Sequence, residues 1–338
     1  MLRSTALVLA SSFSLIACGD TRIDPTTPGN RPLRSETLSA AAVAVPCTFL
    51  ESGTTMRLTA SCATTSSIVI PEGFTLDGGG YTIAGVDPAG GHFTGGVLTN
   101  GGVTANVTSV VVTVIGLQDI CDAGVDRLRG IYFAGASGSI THSTVTGINQ
   151  GPSGCQEGNA IEVRNFGESA QTSVVEIAHN SVIDYQKTGI VCNGASVCSV
   201  HNNTVGASAT QANLAANSVQ YGFGSTGSLD NNSITGNSWQ VDPYWDATAV
   251  LVYQSNGVRV TSNRIDGNSD VGIDAEADNL LIDKNKLTDT GADGAYDIGI
   301  GNYGNDNAIT KNSVSGFSTP YEGVTGGKNR VKKPSPQG

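Results

Sequence analysis

Six times along the chain an Asn stands two residues before an apolar residue: Asn180/Val182, Asn203/Val205, Asn232/Ile234, Asn263/Ile265, Asn285/Leu287 and Asn312/Val314. A second apolar anchor follows the first five, at Ile190, Val219, Val250, Ile273 and Ile300, often after a small residue. From these anchors to the next Asn the distances are 13, 13, 13, 12 and 12 residues. From the first apolar residue of each repeat to its second anchor they are 8, 14, 16, 8 and 13. One half of the repeat is fixed and the other varies, so the insertions fall on one face of a solenoid. The segments are short, rich in Val, Ile and Thr, and punctuated by Gly-Ile, Asn-Gly and Asn-Asn, which reads as strand. A shortest period of 22–23 residues suits three short strands per coil of a parallel β-helix. The dense Leu pattern of leucine-rich repeats is absent. Stacked coils repeat at about 4.8 Å, so the repeated Asn is expected to build an amide ladder at one corner.

The register extends backward. Ile131 lies 12 residues before Ser143 and Val97 lies 12 before Ser109, which places these Ser in the Asn position ahead of Val145 and Val111. Ile161 lies 19 before Asn180, so Asn165 to Gln171 is expected to bulge on the opposite side. The predicted inner column is Val97, Ile131, Ile161, Ile190, Val219, Val250, Ile273 and Ile300. Each is preceded by a small residue: Gly96, Gly130, Ala160, Gly189, Ser218, Ala249, Gly272 and Gly299. Two readings of that small column stand: a backbone bend at a corner, or the floor of a groove.

The segment Ile68-Val69-Ile70-Pro71-Glu72-Gly73-Phe74-Thr75-Leu76-Asp77-Gly78-Gly79-Gly80-Tyr81-Thr82-Ile83 resembles the first coils of right-handed parallel β-helix proteins of the pectin-lyase-like superfamily. The resemblance covers roughly residues 47 to 325. It implies an all-β, single-stranded right-handed parallel β-helix of about 8–10 coils. It carries fold and no catalytic residue, because that superfamily includes lyases, glycosidases, esterases, phage spikes and binding proteins.

The ends read differently. Residues 1–17 look like an export leader, and Leu15-Ile16-Ala17-Cys18 resembles a bacterial lipobox, which implies lipidation of Cys18; plain secretion with cleavage nearby is the alternative. Residues 18–45 read as a flexible tether, 46–325 as the helix domain and 326–338 as a disordered basic tail. The expected address is the bacterial cell envelope, in the outer membrane and periplasm or at the cell surface. Membrane contact is through Cys18 only. The formal charge is −11. Losing Arg3 with the leader leaves 17 − 29 = −12, an acidic body that does not attract nucleic acid. Seven Cys less Cys18 leaves six, an even number in an exported chain. The register suggests Cys47–Cys62 closing an N-terminal cap, Cys121–Cys155 between adjacent loops, and Cys192–Cys198 across a turn. Small buried free Cys are the alternative.

Candidate chemistry follows from offsets to the anchors. Lys187, Glu157, Glu162 and Arg164 gather near a notch where the loop is shortest. There Lys187 or Arg164 is a candidate base for proton abstraction beside a uronate carboxylate; a surface Lys187–Glu157 pair is the plainer reading. Asp246, Asp270 and Asp297 fall on successive coils, where they suit a Ca²⁺ site or the paired acids of a glycosidase. A solvated acidic edge is the alternative. Trp239, Tyr244 and Trp245 in one loop, with Gln220 on the strand, are candidate sugar contacts; packing of the loop is the alternative. The four His are scattered, and no Gly-x-Ser-x-Gly elbow or phosphate loop occurs.

The reading these features favour is a monomeric, surface-anchored protein. It binds a polysaccharide beside the one-sided loops, with lyase or glycosidase cleavage as its catalytic form. A non-catalytic glycan-binding module and a structural or adhesive lipoprotein are the alternatives.

Overall fold

The computed structural model describes residues 45–331, apart from 210–213, 240, 242–244 and 292–295. Cys18 and Tyr244 therefore lie outside the described residues. Each coil contributes one strand to each of three sheets. In one coil these are Thr188–Gly194, Ser196–His201 and Thr204–Val205, belonging to sheets 1, 2 and 3 in turn. Sheet 1 has 10 strands, and sheets 2 and 3 have 11 each. Pairing is parallel except for an N-terminal hairpin, Phe49–Ser52 with Thr55–Leu58. The helical content among the described residues is one 3-10 turn, Gly124–Asp126.

The anchors stack as one row. Ile131, Ile161, Ile190, Val219, Val250, Ile273 and Ile300 pair in register, and all are buried. Each such side chain contributes roughly 1.5–3 kcal/mol by burial. The coil of Gly96–Asn100 and Val111–Val114 departs by one residue from the expectation: Leu98, not Val97, pairs with Ile131, and Val112, not Val111, pairs with Val145. Val110 fills the Asn slot there, and the run Val110-Val111-Val112 offers no polar landmark to fix the register.

The amide ladder forms. Each Nδ2 of Asn180, Asn203, Asn232, Asn263 and Asn285 donates to the next Asn Oδ1 at 3.0–3.1 Å. The backbone N–H of each donates to the same oxygen. The other amide proton reaches a strand carbonyl, as from Asn203 to Ile177 O. Every polar atom of a buried corner is thereby satisfied. The ladder continues to Asn329, and Arg330–Val331 adds a strand to sheet 3. The helix thus runs past residue 325, into the segment expected to be a disordered tail.

The small column lies at the inner corner, so the groove-floor reading fails. A Cβ on Gly189 would meet Ser218 O at 2.6 Å and Val205 Cγ1 at 2.9 Å; one on Gly299 would meet Val314 Cγ1 at 2.4 Å. The chain bends there to bring sheet 3 back into sheet 1. All three disulfides are present as the register suggested: Cys47–Cys62, Cys121–Cys155 and Cys192–Cys198. The bulge after Asn165 is present too. The Asn165 side chain holds it, accepting from Gly167 and Ser169 N–H and donating to Gln171 O.

Candidate functional site

Successive residues of a strand face opposite ways. Beside the buried anchors, the outward row of sheet 1 reads Tyr132, Glu162, Val191, Gln220, Leu251, Asp274, Gly301 and Glu322. The variable connections all return from sheet 3 to sheet 1 along one side of this row. On its other side the turns into sheet 2 carry Phe166 and Phe223. The row has two ends with different chemistry.

At the N-terminal end, Arg129 Nε donates to Glu162 Oε2 at 2.6 Å, both side chains buried. The same guanidinium donates to the carbonyls of Gly124, Val125 and Arg127, tying the 115–128 connection over the sheet. It also lies 4.2 Å from the Tyr132 ring centroid. Asn159 Nδ2 donates to Glu162 Oε2 at 2.9 Å. Burial raises the Tyr132 phenol above its ordinary value, and its hydroxyl finds no partner among the described residues.

At the C-terminal end, Asp274 is buried and its Oδ1 has no hydrogen-bond partner among the described residues. Its carboxyl is raised well above the ordinary value, first by burial and then by the negative charges of Glu276 and Asp246, with Glu322 adding to them. Half-buried Asp246 is raised too, mainly by desolvation, with Asp270 and Glu276 contributing. Tyr303 lies over Gly301: a Cβ on that glycine would meet its ring and hydroxyl within 2.9 Å. The hydroxyl sits 3.3 Å from Glu322 Oε1, and burial together with these carboxylates raises its pKa. A carboxyl pushed up by burial beside other carboxylates is an arrangement that acid–base catalysis uses.

The family model described as a right-handed β-helix region matches residues 159–329, just over half of the 338-residue chain. The chain belongs to the right-handed β-helix family. No curated protein and no solved structure matches it. Membership establishes the architecture and leaves the chemistry to the site residues.

Within this right-handed β-helix the expected site residues separate. Glu157 is fully buried. Its oxygens accept from Asp122 N–H, Leu128 N–H and Gln150 Nε2, so it holds loops together and does not meet Lys187. Lys187 is half-buried; its Nζ donates to Ala215 O at 2.6 Å, and desolvation lowers its pKa to about 8. The notch around it is filled by buried Tyr185 and Gln186. Glu162 is paired with Arg129, and Arg164 with Glu168 at 2.8 Å. The expected lyase cluster is therefore dispersed.

The three Asp do not assemble into one set of ligands either. Asp270 Oδ2 accepts from Trp239 and Ala247 N–H, and Asp297 Oδ2 from Ser318 N–H. These two carboxylates cap loops, and only Asp246 joins the acidic end. Among the described residues, the set close enough to share an ion is Cys121, Cys155 and Glu157. The two sulfurs there are bonded to each other. Gln220 lies on the outward row, bonded to Asn193 and Asn217. Trp239 is half-buried and Trp245 is 67% exposed.

The residues missed were Asp274, Glu276, Tyr303, Glu322, Arg129 and Tyr132. Glu162 and Gln220 had been noticed because they follow anchors. The same offset applied to Ile273 and Ile131 yields Asp274 and Tyr132. A shallow trough of about 500 Å³ on sheet 2, lined by Val174, Glu176, Val197 and Arg259 among others, lies away from this chemistry.

Proposed function

We propose that the outer face of sheet 1 binds a polysaccharide and hydrolyses a glycosidic bond at its acidic end. The observation that supports this most is Asp274, buried among Asp246, Glu276 and Glu322, with its carboxyl raised well above the ordinary value by burial and one oxygen without a partner among the described residues. Its proton passes to the glycosidic oxygen as the bond to the anomeric carbon breaks. A second carboxylate of the cluster, Asp246 or Glu322, takes a proton from the attacking water or bonds the anomeric carbon directly. Hydrolysis is favoured over lyase chemistry because Lys187 donates to Ala215 O and Arg164 is paired with Glu168. The leader and the lipobox-like Cys18 extend the reading to a lipid-anchored envelope protein. The test is a screen for new reducing ends across polysaccharides, with and without Ca²⁺. Asp274→Asn should abolish release while glycan binding persists; release by this variant at the native rate would remove Asp274 from the mechanism. Glycan binding without release by the native protein would leave the binding module.

A further inference from the structure

The rim opposite the loops carries an aromatic ridge. Phe166 follows strand Asn159–Asn165, Phe223 follows Asn217–Gly222, Tyr253 ends Thr248–Tyr253 and Tyr303 follows Ile298–Asn302. Phe166 meets Phe223 edge-on at 5.9 Å between centroids, and Phe223 meets Tyr253 edge-on at 5.3 Å. The ridge is open: Phe166 is 50% exposed, Phe223 47% and Tyr303 50%. Its last member, Tyr303, stands beside Asp274 and Glu322, so the ridge runs into the acidic end.

Phe223 is the bulky apolar member of thirteen described non-Gly residues with positive φ, and Gln254 fills the same slot in the next coil. The φ of Phe223 is +57°, the left-handed region, and its N–H donates to Tyr253 O of the next coil. Gly135 occupies the equivalent slot of another coil, with φ +67° and its N–H donating to Arg164 O. Glycine is the residue that conformation favours, and a bulky side chain there is strained. An aromatic ring that is both strained and half exposed adds little to the fold.

We infer that Phe166, Phe223, Tyr253 and Tyr303 form a stacking ladder for a neutral polysaccharide chain lying along the helix axis. The inference rests on the reading of this face as a glycan site and names the substrate class. Aromatic faces suit the apolar faces of sugar rings. From the Phe166 strand to the Tyr303 strand there are five coil steps, roughly 24 Å at the inter-strand spacing, so the occupant is an extended oligomer. Its neutrality follows from charge. The ladder ends among Asp246, Glu276 and Glu322, the neighbouring Arg164 is already paired with Glu168, and the whole chain carries −11. A uronate polymer or an anionic lipid surface would be repelled.

The test is calorimetric titration of the protein with hexaoses of β-1,4-glucan, β-1,4-xylan, β-1,4-mannan and α-1,4-glucan. The controls are α-1,4-galacturonan hexaose and phosphatidylglycerol vesicles. At least one neutral hexaose should bind, more tightly than its trimer. Phe223→Gly and Phe223→Leu should each weaken that binding about tenfold, the loss of one stacking contact. The Tm of Phe223→Gly should equal or exceed that of the native protein. Native-like binding by both variants, preference for galacturonan or vesicles, or no neutral ligand at all would overturn the ladder. Hydrolysis is read separately through Asp274→Asn: a ladder that binds but does not cleave sinks the hydrolytic reading alone. Cleavage that Phe223 does not influence sinks the ladder alone.

Discussion

Glu162 and Asp274 stand in the same outward row of sheet 1, four coil steps apart. Both are buried, yet their surroundings are opposite. Glu162 has a guanidinium at 2.6 Å and an amide donor at 2.9 Å. Asp274 faces carboxylates, and one of its oxygens lacks a partner among the described residues. A buried charge is tolerated when it is paired and hydrogen-bonded; otherwise the group neutralises. The first end of the row therefore closes the fold, with Arg129 pinning a loop across the sheet. The second end stores an unfavourable arrangement, and that tension is the property of a reactive site.

The largest effect should come from breaking the paired end. Arg129→Met leaves the Glu162 charge buried without its partner and frees the carbonyls of Gly124, Val125 and Arg127. A loss of about 3–5 kcal/mol is expected by urea denaturation. Arg129→Met combined with Glu162→Leu should recover much of it, because the unpaired charge is then gone. If the single variant loses under 1 kcal/mol, the contrast between the two ends collapses.

Asp274→Asn should move stability the other way, with a gain of about 1–2 kcal/mol at neutral pH, the scale of relieving one unsatisfied buried group. The sign of the pH dependence follows from the raised pKa. Between the ordinary carboxylate value and the raised one, the folded protein holds a proton that the unfolded chain has released. The contribution of Asp274 is therefore complete at low pH and is lost as pH rises through the raised pKa. Melting curves across that window should fall for the native protein and flatten for the variant.

The core of this fold was open to reading because its repeat is chemical as well as geometric. Asn203, Asn232 and Asn263 announce a corner wherever they stand, and a buried amide stack accepts little else. The register slipped where that landmark was missing, at Val110. Cys121 and Cys155 could be paired because stacking turns sequence distance into vertical neighbourhood. The site was harder. Offsets from the anchors place a residue on a coil and a face, which sufficed to notice Glu162 and Gln220. They say nothing of what a carboxylate has bonded. Asp270 and Asp297 have the spacing of a ligand pair, but backbone amides of the variable loops bond Oδ2 of each. Those loops have no repeat, so no periodicity foretells their amides. Tyr303 and Phe223 lie in turns between sheets 1 and 2, outside the half of the repeat where insertions drew attention.

The smallest effect sharpens the contrast from between the two ends. Lys187 is a cation near the paired end that has no carboxylate partner among the described residues, and desolvation lowers its pKa to about 8. Between that value and the ordinary one near 10.5, the unfolded chain binds the proton and the folded chain does not. Stability should therefore rise with pH across this interval, and Lys187→Met should remove the rise. The hydrogen bond to Ala215 O offsets part of the burial cost, so the variant should differ from the native protein by only about 1 kcal/mol at pH 7. Glycan cleavage should stay within twofold, because hydrolysis at Asp274 does not use this amine. A large drop in cleavage at unchanged Tm would return the base to Lys187. The reaction would then belong to the end of the row that now reads as structural.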